Sequence, residues 1–139
     1  MSDTIPKKYR KNVVTDLPRQ VQIAGHHHPT PCWITPGMFP GVGFRLAGHE
    51  VSGSVGKPHA APHTHDVPEI WLAPCEKRGA VVIEARMDDE TFDVESPFSI
   101  FIPPGVRHCF TVKKCESPHY VLGIVLLDWQ RPKESEGGP

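Results

Sequence analysis

Sixteen prolines and twelve glycines are scattered through 139 residues, and they leave little room for long helices. Proline has no backbone N–H and its ring clashes with the preceding helical turn, while glycine makes an ordered helix entropically costly. What remains between these breakers is a series of short extended segments. The candidates are "FRLAGHEVS" from residue 44, "EIWLA" at 69–73, "AVVIEARM" at 80–87 and "TFDV" at 91–94, then "FSIFI" at 98–102, "HCFTV" at 108–112 and "YVLGIVLL" at 120–127. "DDE" at 88–90 and "PPG" at 103–105 read as turns. Short strands at close spacing, with turn residues between them, predict an all-β sandwich or closed barrel.

The chain is long enough for one core and too short for two ordinary domains. Residues 1–30 are expected to form an arm, because Lys7, Lys8, Arg10, Lys11 and Arg19 face few apolar neighbours. "PTPCWITPGMFPGVG" at 29–43 is an extended, proline-punctuated stretch with no helix. The domain is placed at 31–130, and 131–139 is expected to be a disordered tail. The net charge is -1, which gives no basic surface for nucleic acid. No apolar run nears the roughly 20 residues of a membrane helix, and the N-terminus has no signal-peptide core, so a cytoplasmic protein is expected. Cys32, Cys75, Cys109 and Cys115 form no C-x-x-C pair and read as free thiols in a reducing compartment.

The chemistry concentrates in "PHTHDVPEIW" at 62–71. His63 and His65 lie two apart, a spacing that presents both imidazoles to one side of an extended chain. Glu69 follows. Two imidazoles and one carboxylate are an incomplete shell for a tightly held metal, and the best further donor is His108, just after the turn in "FIPPGVRHCF". His59 has no place in this pattern and reads as a surface or mouth histidine. The run His26–His28 reads as a polar turn in preference to a second metal site.

The pattern His63-x-His65-x3-Glu69, followed by Pro103-x-Gly105-x2-His108, resembles the two signature motifs of the cupin superfamily across roughly residues 44–127. Departures fall at turns: Gly56 stands seven residues before His63, Glu76 and then Gly79 follow the first motif, and Ser96-Pro97 replaces the usual Gly-Asp. A longer loop is therefore expected around "APCEKRG". The resemblance implies a jelly-roll β-barrel holding one divalent metal through His63, His65, Glu69 and His108, with a small-molecule substrate. It also implies a homodimer, in which a partner would cover the Pro-rich arm and "PCWI". The donor set suits Fe(II), Mn(II), Ni(II), Cu(II) or Zn(II), with Fe(II) favoured. In a cupin without metal, the same side chains would be satisfied polar residues in a wet barrel mouth.

Strand parity adds Trp71, two beyond Glu69, and Phe110, two beyond His108, as cavity walls. Arg45 and His49 share a face of the preceding strand and are candidates for the substrate pocket. Cys109 should point away from the metal. The fold does not fix the reaction. The favoured expectation is an Fe(II)-type dioxygenase or oxidoreductase acting on a small carbonyl, enol or catechol-like compound. The alternatives are a redox-neutral isomerase, lyase or decarboxylase, for which His49 or Glu84 would have to be the base, or a binding cupin without catalysis.

Overall fold

The computed structural model describes residues 4–132. Its strands are β1 (Arg19–Val21), β2 (Thr30–Ile34), β3 (Arg45–Glu50), β4 (Glu69–Ala73), β5 (Val81–Met87), β6 (Glu90–Glu95), β7 (Phe98–Ile102), β8 (His108–Cys115) and β9 (Tyr120–Val125). They form a six-stranded sheet in the order β1-β2-β3-β9-β4-β7 and a three-stranded sheet in the order β6-β5-β8. The neighbouring strands pair antiparallel. Helical structure among the described residues is confined to short 3-10 turns such as Lys7–Asn12 and Ser52–Ser54.

Alternation along the strands decides which face is inside. In β5, Val81, Ile83 and Ala85 are fully buried while Glu84 and Arg86 are exposed. In β7, Phe98 and Ile102 are buried and Ser99 and Phe101 face out. The core joins these to Trp71 and Ala73 of β4, Phe110 and Val112 of β8, and Val121 of β9, so both sheets contribute. Fully burying a side chain the size of Ile83 or Ile102 stabilises the fold by about 1.5–3 kcal/mol.

The closed barrel that the sequence leads one to expect takes the form of two sheets, with the backbone between them joined by single bridges. Residues 55–63 run beside β8: Gly56 N–H donates to Val112 O at 2.8 Å, His59 N–H to Phe110 O at 3.0 Å, and His63 and His108 exchange N–H···O bonds of 3.2 and 2.9 Å. The pairing consists of isolated bridges, at Val55–Val112, Pro58–Thr111 and His63–His108; Pro58 and Pro62 are accommodated beside β8 because the N–H groups that face it are those of the next residues, His59 and His63.

Three expectations need correction. Within the expected arm, Arg19–Val21 is an edge strand paired with β2 through Arg19–Cys32, Gln20–Pro31 and Val21–Thr30. "PCWI" is not an exposed stretch: Cys32 is fully buried, and Trp33 Nε1 donates to Gly48 O at 2.8 Å. Pro31 hides this strand from a sequence reading. It is tolerated because its partner β1 is only three residues long and the β2–β3 register shifts between Cys32 and Ile34. β8 also runs three residues beyond the expected "HCFTV", to Cys115. Of the expected tail, Arg131 and Pro132 have no regular structure, and 133–139 lie outside the described residues. The four cysteines are free.

Where Ser96 replaces the glycine of the motif, it fastens the long loop after β4. Its hydroxyl, fully buried, donates to Lys77 O at 2.9 Å and accepts from Val81 N–H at 3.0 Å. Ser96→Ala should leave a buried N–H without its acceptor and cost about 1–3 kcal/mol, measured as a lowered urea midpoint at unchanged slope.

Candidate metal centre

The two sheets meet at four donors. Glu69 opens β4 in the larger sheet, His108 opens β8 in the smaller one, and the bridged segment brings His63 to His108. His65 follows outside any strand, so the two imidazoles share a side through an extended segment and not through a regular ladder. The ligand atoms of His63, His65, Glu69 and His108 all lie within 4.8 Å of one another. Glu69 Oε1 sits 3.1 Å from His108 Nε2 and 3.4 Å from His65 Nε2.

The second nitrogen of each ring sets its role. His63 Nδ1 lies 2.8 Å from Ala61 O and His108 Nδ1 lies 2.8 Å from Val106 O. A carbonyl accepts only, so each Nδ1 carries a proton and Nε2 is the nitrogen left for a cation. His108 is buried at 1% side-chain exposure, yet its Nε2 meets a carboxylate. Without a cation, a proton on Nε2 would bridge to the carboxylate, at the place a divalent cation would take. That charge balance, three imidazoles around one carboxylate, fits the donor set of a borderline transition ion.

The electrostatics agree. Burial alone would raise the Glu69 carboxyl, but hydrogen bonds from His108 and His65 hold it down at about 2. Burial pulls His108 down as well, and the bond to Glu69 overcomes it, so its pKa is raised. His63 is lowered by burial, with His108 and His65 adding repulsion.

Glu69 also lines a cavity of about 400 Å³, together with Trp71, Phe110, Val112, Val121 and Leu122. Trp71 is 1% exposed and meets the His108 ring edge-on at 5.6 Å and Phe110 at 5.0 Å. Both aromatic walls are core and cavity at once. His49 lies at the rim, exposed, with Nδ1 donating to Glu50 O at 2.7 Å. Arg45 does not line this cavity; its charge reaches inward as far as His26. Glu84 stands on the outer face of the smaller sheet, beside a separate cleft that also takes Cys109, so it is not a base for this site.

Two histidines outside the motif belong to the cavity. His59 is not a surface residue: its ring stacks on Phe110 at 4.1 Å and meets His63 at 6.0 Å, and burial pushes its pKa down to about 4. His26 does leave a turn, bridging to Ala60, but its ring turns inward to 5.5 Å from His63. No residue pattern marks either one, because both arrive through tertiary bridges. Gly123 is the other unforeseen residue. It faces Trp71 across β4–β9, and a Cβ there would stand 2.7 Å from Glu69 Oε2. Its signal was a lone glycine in the apolar run "YVLGIVLL", which marks a close approach.

No family model and no curated protein matches this chain. Among solved structures, it is similar to a protein from Planctomyces limnophilus at 15% identity and a TM-score of 0.54, over 91% of this chain and 93% of that one. It is also similar to a cupin 2 domain-containing protein from Halorhodospira halophila, at 19% identity and a TM-score of 0.53, over 77% and 72% of the two chains. Identities this low establish the fold and leave the reaction open.

Gly123→Ala should leave the sheets folded and push the Glu69 carboxylate aside, lowering metal affinity about tenfold or more by competition with a chromophoric chelator. Metal loading should also fall on acidification. Glu69 remains ionised far below neutrality, so the competing protons are those on imidazole. Occupancy after dialysis should therefore drop as pH passes below about 6.5, the ordinary histidine value, and the carboxylate range should contribute little.

Proposed function

The chain has the cupin fold, and from that premise we propose a metal-dependent enzyme, an Fe(II)-type dioxygenase or oxidoreductase acting on a small carbonyl, enol or catechol-like compound. The observation that carries this reading is the convergence of three imidazoles and one carboxylate beside an apolar cavity of about 400 Å³. His63, His65, Glu69 and His108 would hold the ion. Bound Fe(II) would supply one-electron chemistry toward oxygen and a Lewis acid for the substrate's oxygens. The chain's own contribution is to shape the site. Trp71 and Phe110 wall the cavity with aromatic surface, and Val112 and Val121 continue it. Such walls suit a substrate whose body is apolar, while His49 and Lys57 line the cavity toward its exposed side.

A redox-neutral isomerase or lyase also needs a general base close to the substrate carbon. Glu84 lies outside the cavity and His49 is at its exposed rim, so this reading has less support. We include a homodimer in the proposal, tested by light scattering at micromolar concentration.

The deciding experiment loads the protein with Fe(II) without oxygen, then follows oxygen consumption with a panel of catechols, β-diketones and enolisable acids. The expected result is oxygen uptake matched mole for mole to substrate loss. Conversion under argon would favour the redox-neutral reading, and binding without turnover a ligand-binding cupin. His65→Ala and His63→Ala should each abolish uptake and reduce retained iron at least tenfold.

A further inference from the structure

His59 differs from the histidines of the metal centre in what its Nδ1 meets. Phe110 turns its carbonyl toward residues 55–63, where it accepts from His59 N–H at 3.0 Å. The N–H and C=O of one strand residue point the same way, so the Phe110 N–H is directed at the same segment. There it lies 3.1 Å from His59 Nδ1. The Phe110 carbonyl is also 3.2 Å from Nδ1, but that oxygen already has a donor. If Nδ1 were protonated, the amide of Phe110, a residue only 8% exposed, would lose its acceptor, and an unpaired buried N–H is costly. Nδ1 is therefore the acceptor. A neutral imidazole carries one proton, which places it on Nε2.

The other end of the ring is not sealed in the core. Among the described residues, no buried side-chain nitrogen or oxygen lacks a hydrogen-bond partner. His59 Nδ1 has its partners on Phe110, and none is found for Nε2, so Nε2 is accessible, and His59 lines the cavity between Phe110 and Trp71. Stacking on Phe110, with ring planes 11° apart, fixes the direction in which it points.

We propose that His59 is a fixed, neutral Nε2–H donor in the cavity wall, and that the cavity takes a flat, apolar molecule whose carboxylate, enolate or carbonyl oxygen accepts that proton. The inference deepens the functional reading above by giving the ligand a polar anchor on the inner wall, in a cavity that Lys57 and His49 also line. In this role His59 binds ligand and does not ligate metal. It also does not serve as a base, because its cavity-facing nitrogen is already protonated.

Two substitutions separate this role from a merely structural one. In His59→Asn, the side-chain oxygen takes the place of Nδ1 and still accepts from Phe110 N–H, while the donor is lost. In His59→Gln, the terminal NH2 reaches the place of Nε2 and restores a donor, while the Phe110 acceptor is given up. The probe is benzoate, titrated calorimetrically into zinc-loaded protein, where no oxygen chemistry takes place. We expect His59→Asn to keep its zinc and bind benzoate about tenfold more weakly or worse, as for loss of a hydrogen bond to a charged group. His59→Gln should bind within about threefold of the parent. Nitrogen-15 NMR of the metal-free chain should show Nδ1 bare and Nε2 protonated.

A protonated Nδ1, zinc loss in His59→Asn, benzoate binding that survives His59→Asn, or a His59→Gln variant as weak as His59→Asn would each overturn the proposal. No benzoate binding by the parent would overturn the ligand class. Absence of oxygen uptake with benzoate binding intact would count against the oxidative function alone and leave this inference standing.

Discussion

The site depends on keeping one carboxylate ionised where little water reaches it. Glu69 has 13% of its side chain exposed, and a buried carboxylate without partners would take up a proton or resist folding. His65 and His108 meet this cost together, one from the segment that leads into β4 and one from the opposite sheet. Bringing His108 within 3.1 Å requires β8 to begin opposite β4, and the paired bonds between His63 and His108 fix where β8 begins. On the other side, Gly123 gives the carboxylate room that any side chain would take. The core pairing of β4 with β9 and the bridge to β8 are thus constrained by the same group.

This dependence also explains the division of labour between the sheets. The larger sheet supplies the carboxylate and Trp71; the smaller supplies His108 and Phe110. The cavity lies between them, and its walls are the same residues that bury the core, so a change that loosens Trp71 or Phe110 acts on stability and on ligand space together. Such coupling is common where a binding site is carved from a β-sandwich interior. Trp71 and Phe110 hold both roles at once.

How far the sequence could be read follows from the range of each signal. β3 to β9 announce themselves by local alternation and turn residues, as in "AVVIEARM" followed by "DDE", and the four donors stand at fixed intervals in two short motifs. These are signals within ten residues. β1 is only three residues long, and β2 was hidden because Pro31 argues against a strand; that short partner and the register shift between Cys32 and Ile34 make it tolerable. Glu84 looked available as a base, though the burial of Val81, Ile83 and Ala85 already determines that it faces outward. His26 and His59 carry no local signal of their role, and the lone Gly123 in an apolar run signals a close approach without saying to what. Each is placed by a contact made across the fold, at Ala60, Phe110 and Glu69 respectively.

The histidines show how the same side chain acquires opposite polarity. His63 and His108 direct Nδ1 at the carbonyls of residues two positions back, Ala61 and Val106. That geometry belongs to the local chain, and it leaves Nε2 as a lone pair suited to a cation. His59 directs Nδ1 at an amide of the neighbouring strand, 51 residues away, and its Nε2 becomes a donor. A motif of histidine spacings records the first kind of contact and is blind to the second. The difference between an acceptor for metal and a donor for ligand is therefore set by which backbone group each ring meets. Residues 55–63 meet β8 only in isolated bridges, and there the Phe110 amide bonds with a side chain where a regular strand would have offered a carbonyl.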